Sequence, residues 1–102
     1  MPVQILCPHR PTPPNVVTVK RDFHAGGNVS LPDRTVTAIL VKGTTTIPVA
    51  SVPRQQNMWE ATFSGVPEGA GYQLIAVGDH GGMAGGIPIT VNDTTGTDPC
   101  PP

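Results

Sequence analysis

Between Trp59 and Gly78 the chain reads Trp-Glu-Ala-Thr-Phe-Ser-Gly-Val-Pro-Glu-Gly-Ala-Gly-Tyr-Gln-Leu-Ile-Ala-Val-Gly. Trp59, Ala61 and Phe63 fall on alternate positions, and so do Tyr72, Leu74 and Ala76. Successive side chains of an extended strand point to opposite faces, so a period of two marks a half-buried strand. The stretch predicts two strands joined at a glycine-rich corner, residues 65–71. It contains no nucleophile–base pair and no metal-ligand cluster. It therefore constrains the fold and is silent on chemistry.

The same period continues elsewhere. Six strands are expected: 16–23 (extended by 28–31 past a Gly26-Gly27 break), 35–42, 46–52, 58–64, 72–77 and 87–91. Val36, Ala38 and Leu40 share one face of the second strand, and Ile39 and Val41 share the other. Apolar residues on both faces point to a central strand. Lys42-Gly43-Thr44 reads as a hairpin turn. No segment sustains a 3.6-residue apolar period, so the domain is expected to be all-β. Proline cannot donate to a β-ladder and belongs on edge strands. Pro48 and Pro88 therefore place 46–52 and 87–91 outside the pair 35–42 and 72–77. The other two strands are left to form a second, smaller sheet, which gives a Greek-key sandwich of six to seven strands.

At 102 residues the chain is the size of one domain. Only 13% of residues are charged, about half the usual share. Glycine (12) and proline (13) are abundant, but the prolines gather at the two ends while the alternating runs lie between them. Residues 1–15 are thus expected as a Pro-rich linker, 16–92 as the sandwich and 93–102 as a Thr/Pro-rich tail. The net charge of −1 and six scattered cations offer no basic footprint for nucleic acid. No apolar run reaches the ~18 residues of a membrane span, so no membrane insertion is expected. The first residues lack the charged leader and apolar core of a signal peptide, so the chain reads as a module of a longer protein.

The pattern Trp59-x-Ala-x-Phe, Gly65-Val-Pro-x-Gly69, Tyr72-x-Leu-x-Ala76, a Gly-rich loop and Ile89-x-Val91 resembles bacterial immunoglobulin-like domains, with fibronectin type III as the neighbouring family. The resemblance covers about residues 16–92. It implies a tyrosine corner at Tyr72, whose hydroxyl caps backbone at a sheet crossing. The chain departs from the antibody pattern in lacking a Cys pair in the core strands. Family members mostly act as spacers or adhesive modules of secreted and surface proteins.

Cys7 and Cys100 are expected to form a disulfide that clasps the termini, given the extracellular-type composition. The alternative is two free or intermolecular thiols. An even number of main strands, six, would bring the chain ends to one end of the sandwich. In the loop 78–86, Asp79, His80 and Met83 form a candidate binding loop, set against a mobile hairpin without a ligand. Asp79, Asn92 and Asp93, joined by Asp33 or Asp98, are oxygen ligands that calcium accepts, but their spacing matches no EF-hand. His9, His24 and His80 make no zinc pattern with the cysteines, and Cys100 lacks the downstream ligand of a copper site. Ser30, Ser51 and Ser64 sit in no nucleophile-elbow motif, so no enzyme is expected. Trp59 reads as a core anchor with Phe63, Tyr72 and Leu74, against the alternative of a sugar-stacking platform. Asn28-Val-Ser30 and Asn92-Asp-Thr94 are glycosylation sequons.

The expected function is a non-catalytic immunoglobulin-like module of a secreted or cell-surface protein, a spacer and adhesion or protein-interaction unit. The alternative is a carbohydrate-binding module appended to an extracellular hydrolase. Its expected partners are neighbouring domains of a larger protein and a protein or carbohydrate ligand, and the module itself is expected to be a monomer. No metal or cofactor is expected.

Overall fold

A computed structural model describes residues 2–100 as two packed antiparallel-rich sheets with no helix among them. Nine strands appear in chain order: β1 (Val3–Cys7), β2 (Val17–Val19), β3 (Phe23–Val29), β4 (Val36–Lys42), β5 (Thr45–Ala50), β6 (Val52–Pro53), β7 (Met58–Phe63), β8 (Gly69–Gly78) and β9 (Met83–Val91). One sheet runs β1-β3-β7-β6, and the other runs β2-β9-β8-β4-β5. The four expected neighbours 46–52, 35–42, 72–77 and 87–91 lie side by side in the second sheet as β5, β4, β8 and β9.

The prolines sit where their missing N–H does least harm. Pro48 lies in the outermost strand β5. Pro88 is in β9, which β2 flanks only from Ile89 onward. Because β2 pairs there in parallel with β9, that end of β9 is covered rather than an edge as expected.

Four expectations need correction. The first strand does not run 16–23. Val17–Val19 joins β9, then the chain crosses through Lys20, Arg21 and Asp22 to the other sheet, where Phe23 opens β3. Gly26-Gly27 is no break either. Both glycines lie inside β3, clamped between β1 and β7. A Cβ on Gly27 would collide with the Gln4 carbonyl, so the close approach of β1 demands glycine there. Residues 1–15 are more than a linker, since they supply β1, whose Val3 is buried. Residues 93–102 are more than a tail: Thr97 bridges to Val19, and Cys100 is buried. Met1, Pro101 and Pro102 lie outside the described residues.

The core fills the space between the sheets. Phe23 and Phe63 stack with ring centroids 4.9 Å apart, and Leu40, Leu74, Ile89 and Val91 close over them from the other sheet. Trp59 is 2% exposed, and its indole N–H is shared between the carbonyls of Gln4 and Asn28, each at 3.2 Å. One aromatic thus fills core volume while tying β1, β3 and β7 together. The Tyr72 hydroxyl donates to the Pro67 carbonyl, five residues back, at 2.8 Å. This fastens the corner before β8.

Gly27→Ala is expected to lower stability by about 1–3 kcal/mol, because the added methyl meets backbone that cannot move without breaking the β1–β3 ladder. Gly43→Asn, at an open turn with φ +61°, is expected to change it by less than about 0.5 kcal/mol. Urea denaturation of both variants checks the contrast.

Candidate interaction surface

At one end of the sandwich the β3–β4 loop, the residues around β6 and the β8–β9 turn come together. Two aspartates lock them reciprocally. Asp33, from the β3–β4 loop, is 2% exposed and accepts the backbone N–H of His80 at 2.5 Å and of Gly82 at 3.1 Å. Asp79, from the turn, accepts the N–H of Arg34 at 2.7 Å and of Thr35 at 3.1 Å. The Asp79 N–H returns to the Thr35 carbonyl at 3.1 Å. Each loop therefore caps the other with a carboxylate, and a charge-assisted hydrogen bond to backbone is stronger than a neutral one. Gly78 and Gly82 have no room for a Cβ, because the Asp33 carboxylate occupies that space.

The expected long loop 78–86 is consequently a tight turn, with Met83, Gly85 and Gly86 inside β9. Asp79 and His80 belong to the turn, and the His80 ring lies 3.1 Å from the Asp79 carboxylate. Met83 opens β9 and is 58% exposed. Beside the turn is a shallow recess of about 280 Å³ lined by Leu31, Arg34, Gln55, Gln56 and Asn57 among others. A larger groove of about 740 Å³ follows the seam between β1 and the part of β9 that β2 does not reach. Its walls are Val3, Ile5, Leu6, Ile75 and Met83, and Arg10 stands at its side with its guanidinium on the Gly85 and Gly86 carbonyls.

The oxygen ligands considered for calcium are dispersed. Asp33, Asp79 and His80 each bring one ligand atom to within 4.8 Å of the others. Both Asp33 oxygens are already engaged by N–H groups, so this trio reads as a loop lock. Asn92 instead caps Thr94 and Thr95, and Asp93 accepts the Arg21 N–H at the opposite end of the sandwich. Asp98 accepts the N–H of His24 at 2.9 Å and meets its ring at 2.6 Å. Trp59, closed to solvent, offers no stacking face for a sugar.

Cys7 and Cys100 form a disulfide with Cα atoms 5.5 Å apart. The strand-parity argument does not explain it, since the described residues form nine strands. The cysteines meet because residues 92–100 fold back. Asn92 bonds to Val19, Thr97 to Thr18 and Lys20, and Asp98 to His24, which delivers Cys100 to the end of β1. Such a bond persists in oxidising environments. Asp33 as the buried lock and the His24–Asp98 pair were not legible in the sequence, because partners 47 and 74 residues apart leave no local signal.

Two carboxylates are held below the ordinary range. The N–H groups of Arg34 and Thr35 are the main cause for Asp79, and they outweigh desolvation. For Asp98, burial pushes upward, but the His24 N–H, the His24 ring and the Cys100 N–H together prevail. The comparisons with known proteins leave this geometry to speak for itself: no protein-family model matches the chain, and no curated protein matches it.

A depressed folded-state pKa contributes stability that is present above the unfolded value and is lost as pH falls through it. For Asp79 and Asp98 that loss begins near the ordinary value of 3.8 and continues below it. Asp98→Asn is expected to give a shallower fall of melting temperature with acidity below about pH 5, as read by thermal melts across a pH series. Replacing both cysteines by serine is expected to cost about 4–5 kcal/mol on the chain-entropy estimate, measured by chemical denaturation.

Proposed function

We propose that this chain is a non-catalytic immunoglobulin-like Greek-key module of a secreted or surface protein. It acts as a spacer of fixed length whose looped end serves as its contact unit. The two sheets, β1-β3-β7-β6 and β2-β9-β8-β4-β5, packed over one shared core support the fold assignment, since sandwiches of that family are built so. The Tyr72-to-Pro67 hydrogen bond supports it as a tyrosine corner. The reciprocal aspartate lock supports the looped end as a preorganised surface, since binding there costs little ordering of the backbone.

The observation that carries the spacer role is the Cys7–Cys100 bond. A pull between neighbours enters through residues 1–7, crosses the sulfur bridge and leaves through residues 100–102. Residues 8–99 lie inside a covalent loop and carry no load. Such a strut keeps its length even when its core opens.

Force spectroscopy on the full chain, held by handles at both ends, tests this. About ten residues lie outside the loop, so the oxidised chain is expected to lengthen by no more than about 4 nm at ~3.5 Å per residue. After reduction, a step of roughly 30 nm is expected as the whole chain extends. A long step in the oxidised chain would remove the basis for the spacer reading.

A further inference from the structure

Asp98 is the one aspartate of this chain that precedes a proline; Asp22, Asp33, Asp79 and Asp93 are followed by Phe23, Arg34, His80 and Thr94. The peptide nitrogen of proline belongs to a tertiary amide, has no N–H and departs as a secondary amine. An Asp–Pro bond is for that reason open, in acid, to attack by the carboxylate beside it. In a flexible chain that carboxylate samples several rotamers, and few of them face the bond.

Here the fold holds it in one. Asp98 Oδ1 accepts the backbone N–H of Cys100, two residues on, at 3.2 Å, so the side chain bends over the Asp98–Pro99 bond. The same oxygen accepts the His24 N–H at 2.9 Å, and Oδ2 meets the His24 ring at 2.6 Å. That ring is braced from its other nitrogen: Glu60 lies 3.8 Å from Nε2, and Arg54 lies 3.7 Å from Glu60. The backbone is fixed on both sides of the bond, by the Thr97 N–H on the Thr18 carbonyl before it and by the Cys7–Cys100 bridge after it. The Asp98 side chain is 28% exposed, so water reaches it. Oriented groups within one molecule react with effective concentrations on the order of 10⁵ M or more, which is what such fastening supplies.

We propose that the Asp98–Pro99 bond is a self-cleavage site, cut in mild acid by the Asp98 carboxylate. A carboxylate oxygen attacks the Asp98 carbonyl carbon and closes a cyclic anhydride. The C–N bond breaks, its electron pair stays on the Pro99 nitrogen, and that nitrogen takes a proton from the acidic solvent. Water then opens the anhydride, which restores the side-chain carboxylate and leaves a new C-terminal carboxylate on Asp98. The sum is one peptide bond hydrolysed and one water consumed. Although burial pushes the other way, the His24 N–H, the His24 ring and the Cys100 N–H keep Asp98 ionised as the solvent turns acidic. His24 is a positioning residue, since it holds the carboxylate and not the carbonyl under attack. The reaction happens once per chain, so it stands beside a non-catalytic role and does not rest on the spacer reading. Cys100 lies beyond the cut and is bonded to Cys7, so residues 99–102 stay attached afterwards. The sulfur bridge then becomes the sole covalent link between residues 1–98 and 99–102. Acid followed by reduction separates what neither separates alone.

Mass spectrometry of the full oxidised chain, incubated across a pH series, tests it. At about pH 4.5 the chain is expected to gain the mass of one water and, on reduction, to part into residues 1–98 and 99–102. The folded chain is expected to be cut at least about 10-fold faster than the same chain unfolded in urea at that pH. Its rate is expected to rise with acidity and turn over below the ordinary carboxylate value of 3.8, where Asp98 takes up a proton. His24→Gln, shown by circular dichroism to keep its strands, is expected to slow the cut about 10-fold and move the turnover up toward the ordinary value. Asp98→Glu keeps the charge but lengthens the ring that must close, and is expected to abolish the cut. The comparison of folded with unfolded wild type decides even where a variant fails to fold. A chain that stays whole, or one cut no faster folded than unfolded, overturns the proposal. So does an unchanged pH profile in folded His24→Gln, or an undiminished rate in folded Asp98→Glu.

Discussion

The pairing of β4 with β8 organises this molecule. Leu40 opposite Leu74 and Ala38 opposite Ala76 form the floor of the core, while Ile39 opposite Ile75 forms the centre of the outer face. Because side-chain direction alternates strictly along a strand, one ladder register decides both surfaces at once. A slip by one residue would exchange them, putting Thr37 and Gln73 into the interior. The flanking strands are free to carry proline because β4 and β8 carry the continuous hydrogen bonding.

Around that ladder the rest of the chain is fastened by a few long-range polar contacts. The indole of Trp59 bonds to backbone of β1 and β3, which holds the first strand in place. Asp33 and Asp79 exchange caps at one end, and Asp98 receives His24 toward the other. The indole N–H donates to two carbonyls, whereas the three aspartates use acceptor oxygens to satisfy N–H groups that leave the sheet ladders unpaired, which is how a loop-rich domain avoids the cost of orphaned donors. The disulfide then makes the arrangement covalent between β1 and the last described residue. A chain of this size buries a modest core, so such fastenings carry weight that a larger domain would leave to packing.

Much of the architecture was readable from pattern alone. The alternation in 35–42, 58–64 and 72–77 places Leu40, Trp59, Phe63 and Leu74 inward, and all four are buried. Pro48 marked an edge strand for a physical reason, and β5 is at the edge. Where pattern misled, the cause was a contact from far along the chain. Gly26-Gly27 looked like a break because local propensity disfavours glycine in strands, yet β1 presses so close that only glycine fits. Val3–Cys7 looked like a spacer because prolines surround it, though Val3 and Ile5 retain the alternation of a strand. The loop end was only half visible. Asp79 and His80 could be picked out as polar residues in a glycine-rich turn, but nothing near Asp33 announces that it is the buried partner.

By itself, then, the sequence determined that the chain is all-β with two packed sheets, which residues of 35–42, 58–64 and 72–77 face inward, and that 35–42 and 72–77 lie between the proline-bearing strands. It did so because apolar alternation and the missing N–H of proline are local properties that survive any tertiary context. The tertiary structure alone decided how the first third of the chain divides between the sheets and which carboxylates lock which loops. Those outcomes depend on register and on pairings across tens of residues, and side chains far apart in sequence acquire a shared environment only when the sheets close on each other.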